Sequence, residues 1–134
     1  LGNADITSLR CAQTSITSLS DKRDKTDIRK SNFGLDLILD LKPSLFKMDK
    51  REWYSDGKPD GSKKWKDQSG FIAQEVKDVV EKHGAEALDL IKDHNPDKLE
   101  FTQGNLIPTL VKAIQDQQEI INELKSEIEA LKRQ

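Results

Sequence analysis

From Ile107 to Leu131 apolar or neutral side chains recur at Ile107, Leu110, Ile114, Gln117, Ile121, Leu124, Ile128 and Leu131, in unbroken alternating steps of three and four. This spacing is a heptad seam, with isoleucine at the a positions and leucine at every d position except Gln117. A helix with one apolar stripe cannot bury that stripe against itself, so the segment is expected to be an oligomerisation helix. The simple core rule favours a parallel two-stranded coil. Val111 at an e position and Ile120 at a g position widen the stripe toward a larger bundle, and Gln117 is a polar core residue of the kind that fixes register and oligomer number. Glu127 at g and Lys132 at the following e can pair between parallel neighbours. Dimer and trimer both remain open on the residues alone.

Upstream of the seam the pattern is shorter-ranged. Residues 1–19 are rich in Thr and Ser, and Ile-Thr-Ser-Leu occurs at 6–9 and again at 16–19, which predicts two short β segments. A charged stretch begins at Ser20, so a boundary is expected between Leu19 and Ser20, with residues 1–19 the end of an upstream β-rich domain. Ser20 or Asp21 can cap a helical turn there. Phe33, Leu35, Leu37, Ile38 and Leu41 predict a helix that stops before Pro43, capped by Ser31 or Asn32. Leu45, Phe46, Met48, Trp53 and Tyr54, the turn-rich run from Asp56 to Gly61, and then Trp65, Phe71 and Ile72 predict a long hairpin with a polar tip. Gln74 to His83 carries Val76, Val79 and Val80 on one helical face and ends at Gly84. Ala87–Ile91 and Lys98–Phe101 are strand candidates around the turn at 93–97. The final helix starts after a cap at Gly104 or Asn105, with Pro108 tolerated in its first turn.

Composition narrows the function classes. The chain has 134 residues, about one domain, and its 34% hydrophobic against 34% charged content suits a subunit that completes its core by association. A net charge of −2 with both signs mixed along the chain gives no nucleic-acid or acidic-membrane surface. No run is apolar enough to span a bilayer, and no signal peptide is visible. The start at Leu1 suggests a piece of a longer protein. Cys11 is the single cysteine, which precludes an internal disulfide and makes a poor catalytic thiol with no histidine near it in sequence. His83 and His94 show no ligand spacing and read as surface residues, so neither metal nor cofactor is expected.

Ser20 and Lys25 are the pair that could do covalent chemistry. A serine hydroxyl needs a base, and a lysine amine, with an unperturbed pKa of about 10.4, becomes one when burial or neighbouring positive charge removes its proton. Five residues along a continuous helix would set the two side chains roughly 140° apart, so contact requires a turn or a helix start between them. Lys22 and Arg23 act in one direction on the lysine, Asp21 and Asp24 in the other. Local sequence alone favours the plainer assignment, Ser20 as a cap and Lys25 as a surface charge.

Four motifs in order carry a resemblance: Ser20-Asp21-x-Arg23-x-Lys25-x-Asp27-Ile28, Lys42-Pro43, Gly70-Phe71-Ile72-Ala73-Gln74-Glu75-Val76, and Leu106-Ile107-Pro108 leading into Lys112-Ala113-Ile114-Gln115. Together they resemble the intramolecular chaperone domain of the endosialidase type, found at the carboxy end of phage tailspikes, tail fibres and neck appendages, over residues 20–134. The resemblance implies an α+β, mostly helical fold with a protruding β-hairpin tentacle around residues 55–62. It also implies a long C-terminal helix (105–134) in a parallel trimeric coiled coil. It further implies a homotrimer that holds its upstream β-rich domain in register and then releases itself, with Ser20 as nucleophile, Lys25 as base and Leu19–Ser20 as the cut bond. Asp24 stands where the family usually has an apolar residue. The expected setting is the host cytoplasm during virion assembly, with the cleaved part absent from the virion. A non-enzymatic trimerisation module that stays attached is the alternative. The related domain of membrane-tethered transcription factors ranks below both, since the fragment shows no membrane span.

Overall fold

Val76, Val79 and Val80 share one face of an eleven-residue helix, and this face is the centre of the buried core. In the computed structural model, which describes residue 3 and residues 5–134, the chain divides into two units, Leu1–Lys30 and Ser31–Gln134. Residues 1, 2 and 4 of the expected upstream segment lie outside the described residues.

In the second unit, α1 (Leu35–Asp40) presents Leu37 to the core, and β1 (Ser44–Lys47) pairs antiparallel with β2 (Asp67–Gly70) in the register Ser44↔Gly70. Lys47 and Asp67, opposite each other in that register, form an ion pair at 2.8 Å. The helix α2 (Ala73–His83) ends where Gly84 takes φ +60°. There the Gly84 N–H donates to Glu81 O and the Ala85 N–H to Val80 O, a Schellman closure that brings Ala85 into the core beside Val80. β3 (Ile91–Lys92) pairs with β4 (Glu100–Phe101), and α3 runs from Ile107 to Lys132. Leu37, the three valines, Ala85, Leu90 and Leu106 form the core, with Phe71 and Phe101 edge-to-face at 5.3 Å beside it. The result, among the described residues, is α+β: three α-helices and two small antiparallel sheets.

Several expectations are corrected. The two Ile-Thr-Ser-Leu segments form no strand, and Ile6, Leu9, Ile16 and Leu19 are exposed, because a strand needs a neighbour and none is offered to them among the described residues. The hairpin strands are short. Residues 48–66 leave the ladder for a 3₁₀ turn (Arg51–Trp53) and polar turns, and Trp53 stacks on Trp65 at 5.1 Å instead of pairing as a strand. Residues 86–88 make a 3₁₀ turn where a strand is predicted. A further 3₁₀ turn, Gln103–Leu106, precedes α3, and Asn105 donates its side-chain amide to Leu88 O and Asp89 O rather than capping the helix. His83 is no surface residue: it is half-buried against Asp40, Nε2 to Oδ2 2.6 Å.

Candidate active site

Among the described residues of the Leu1–Lys30 unit there is one short regular element, a 3₁₀ turn over Lys22–Asp24 flanked by Asp21 and Lys25, with Ser20 just ahead of Asp21. Asp21 forms the turn. Its backbone is extended, and its carboxylate accepts the Arg23 N–H at 2.8 Å, which satisfies a donor that the turn leaves open. At the other end the Lys25 N–H donates to Lys22 O and the chain returns to an extended conformation. This reversal supplies what the spacing of five requires, and Lys25 Nζ donates to Ser20 Oγ at 2.5 Å.

The same turn distributes the neighbouring charges. Arg23 forks onto Asp21, Nε to Oδ1 3.0 Å and Nη2 to Oδ2 2.7 Å. The guanidinium, with the Arg23 N–H, holds the Asp21 carboxyl below the usual carboxylate range, and the carboxylate in turn raises the guanidinium. Asp21 is thereby occupied by Arg23 and by the turn, and the lysine ammonium is left to the serine. Leu19, Ser20 and Lys25 are exposed, so the peptide bond between Leu19 and Ser20 lies in an open stretch outside any helix or strand.

Chemically, a hydroxyl oxygen in contact with an amine nitrogen is a nucleophile with its base in reach. When the amine is unprotonated, the contact reverses its sense and the hydroxyl donates. The other candidates form no such pair. Cys11 is exposed, with Sγ donating to Gln13 O at 2.5 Å, and among the described residues no group of acidic, His and Cys side chains could hold a metal ion. Among the described residues no helix is long and apolar enough to cross a membrane.

The expected oligomerisation residues lie together on one exposed stripe of α3. Ile107, Leu110, Ile114, Gln117, Ile121, Leu124, Ile128 and Leu131 are all exposed, whereas Thr109 and Ala113 on another face of the helix are buried against the chain's own body. The helix thus has one face packed within the chain and a separate apolar stripe left open. Two contacts escape a reading of local sequence. Asp116 Oδ2 accepts the Leu35 N–H at 3.0 Å, so the cap of α1 comes from α3 and not from Ser31 or Asn32. Asp49 accepts the Tyr54 hydroxyl at 2.5 Å and the Gly61 N–H at 2.8 Å and so clasps the hairpin tip. Their acidic partners are far away in sequence or across a turn, and no spacing rule marks them.

A peptidase family model described as chaperone of endosialidase matches residues 20–85. The match begins at Ser20 and covers the first three motifs, while the Leu106-Ile107-Pro108 motif lies beyond it. No curated protein and no solved structure matches the chain.

Proposed function

We propose, from the membership of residues 20–85 in the chaperone-of-endosialidase family, that this chain is a trimerising intramolecular chaperone that cuts itself from an upstream domain at Leu19–Ser20. The observation that carries the cleavage is the contact of Lys25 Nζ with Ser20 Oγ at 2.5 Å, beside a bond left open to attack.

The chemistry follows from where the nucleophile sits. Ser20 Oγ is part of the residue that supplies the nitrogen of the bond to be cut. Attack on the Leu19 carbonyl carbon closes a five-membered ring. The hydroxyl proton passes to neutral Lys25 Nζ, a C–O bond forms, and the C–N bond breaks as the lysine returns that proton to the departing nitrogen. The product is a Leu19 ester on Ser20 Oγ with a free Ser20 amine. Water then attacks the ester, with Lys25 again as base, giving a Leu19 carboxylate and a new chain that begins at Ser20 with its hydroxyl restored. The lysine carries a proton both ways and nothing is consumed but water.

Trimerisation gives the cut its purpose. Three β-structured chains must align before their long-range contacts form, and a coil at one end removes much of that cost in advance. Cleavage after assembly removes the aligning device, so the product is kinetically trapped. On this reading, which takes its setting from the family resemblance, the reaction belongs to the host cytoplasm during virion assembly and the chaperone part is left out of the finished particle. The exposed heptad stripe of α3 supports the assembly step.

The test is the intact mass of the chain behind its upstream segment. The unaltered chain is expected to give two fragments divided at Leu19–Ser20, and Ser20→Ala and Lys25→Ala are expected to give full-length chain with the trimer retained in light scattering. Hydroxylamine should trap the ester as a Leu19 hydroxamate. Cleavage of Ser20→Ala at the same bond would overturn the nucleophile assignment. Full-length mass for the unaltered chain under all conditions would favour the attached, non-enzymatic module.

A further inference from the structure

Between Ser20 and Lys25 stand Asp21, Lys22, Arg23 and Asp24, all exposed, and their formal charges cancel. They are not equivalent. The Asp21 carboxylate is fixed in place, since it accepts the Arg23 backbone N–H at 2.8 Å as well as the guanidinium Nε and Nη2 at 3.0 and 2.7 Å. The backbone bond ties it to the start of the turn, next to Ser20, whether or not the guanidinium is there. Among the described residues no such tether holds the side chains of Lys22 and Asp24. Past Lys25 the next charges are Asp27, at φ +53°, and Arg29, whose Nη1 donates to the Asp27 carbonyl oxygen at 3.2 Å.

A fixed carboxylate beside the pair works against it. An anion near an amine favours the ammonium, which cannot take the serine proton, whereas a cation favours the amine. Arg23 supplies the opposing charge, and its planar fork holds both carboxylate oxygens at once. The pairing is also lasting. The Asp21 carboxyl is held below the usual carboxylate range and the guanidinium above its own, so both stay ionised throughout the range in which a lysine gives up its proton.

We infer that Arg23 is a positioning residue of the cleavage site, which neutralises the Asp21 carboxylate and keeps it off Lys25, so that the lysine reaches its amine form beside Ser20 Oγ. The inference rests on the cleavage reading above and adds to it a control on the pH at which cutting begins. A residue that only shaped the turn would act on the rate equally at every pH. This role acts through charge, so its removal and the removal of Asp21 have opposite signs.

The test refolds the full chain from denaturant into buffers from about pH 6 to about pH 10, spanning the approach to the ordinary lysine range, and follows the cut at Leu19–Ser20 by intact mass. Light scattering and near-ultraviolet spectra of each variant combined with Ser20→Ala show that all fold alike. The rate of the unaltered chain should rise with pH as the lysine loses its proton. Arg23→Gln leaves a bare carboxylate and should move the midpoint of that rise up by about half a pH unit, with cutting about threefold slower below it. Asp21→Asn keeps an oxygen for the Arg23 N–H but leaves a bare guanidinium, and should move the midpoint down by a similar amount. The double variant should bring it back, and Arg23→Lys, which keeps the charge, should recover most of the Arg23→Gln shift. Midpoints that stay in place or move the same way in both single variants, or rates lowered by one factor at every pH, would overturn the role of Arg23 and leave Ser20 and Lys25 standing. An unaltered chain that does not cut, or whose rate is flat with pH, would overturn the lysine base and this inference with it.

Discussion

Asp116 acts at two points with one carboxylate. Oδ2 accepts the N–H of Leu35 at 3.0 Å, and Oδ1 receives the Lys112 ammonium one turn back on α3. A six-residue helix is too short to persist by itself, so α1 depends on such outside contacts. The approach is close: a Cβ on Gly34 would stand 2.4 Å from Asp116 Oδ2 and 2.6 Å from Lys112 Cγ, and no side chain fits there without pushing the carboxylate away. Local chemistry nominates Ser31 or Asn32 as the cap because both are good caps next to an apolar run. The true acceptor lies 81 residues later, which no local rule reaches. The Leu35 N–H and the Lys112 ammonium hold the Asp116 carboxyl below its usual range. A carboxylate favoured in the folded state stabilises above its unfolded value, about 3.9, and that stabilisation is lost as pH falls through the lower folded value. Acidification from about pH 5 to pH 2.5 should therefore lower the melting temperature of the unaltered chain by more than that of Asp116→Asn, which still offers an oxygen to Leu35 but does not titrate. Equal acid slopes in calorimetry would show that Asp116 is not the group responsible.

Among the elements, the hairpin shows where pattern and chemistry part company. Its turn residues are legible, since the run from Asp56 to Gly61 can hardly be anything else, and both Gly57 and Gly61 take positive φ. Its strand lengths are not, because aromatic residues favour strands only while they pack on a ladder, and here Trp53 and Trp65 pack on each other with Lys50 over both rings at 5.5 and 5.6 Å. Asp49 then closes the tip by accepting from Tyr54 and Gly61, and the Tyr54 oxygen itself accepts the Lys63 N–H at 3.0 Å. Removing Asp49 leaves those donors without their acceptor, a loss of about 1–2 kcal/mol for the tip. Asp49→Ala should thus open the tip roughly tenfold more often. Hydrogen exchange would show this as faster exchange at Gly61 and Lys63 with Val76 and Val79 unchanged. If α2 exchanged faster to the same degree, the tip would be part of one cooperative unit with the body rather than a separate clasp.

At the scale of the whole molecule, the seam is legible because a heptad repeat needs nothing but the helix period, whereas the pairing of Ser20 with Lys25 comes from the family resemblance, local sequence favouring a cap and a surface charge. Oligomer number is not legible, since it depends on the shape of a neighbour. The body of the chain closes its core without any seam residue: Leu37, Val76, Leu90 and Leu106 are buried within one copy, while Ile121 and Leu124 stay exposed. The proposed assembly can therefore be removed without unfolding the body. Ile121→Lys with Leu124→Lys places charge in adjacent core layers, and the doubly altered chain should be monomeric in light scattering while keeping the near-ultraviolet signal of its Trp53–Trp65 pair. Its effect on cleavage separates two designs. A lysine serves as base only once its proton is gone, and covering the pair from water is what drives the proton off; in the single chain both Ser20 and Lys25 are open to solvent. If assembly supplies that cover, the monomeric variant should cut at Leu19–Ser20 at least about tenfold more slowly, a difference of about 1.4 kcal/mol in barrier, and the release of the chaperone becomes conditional on three chains having met. Cutting at the unaltered rate in a proven monomer would mean that the turn alone activates the lysine, and release would then run on a clock set by the chain rather than by the trimer.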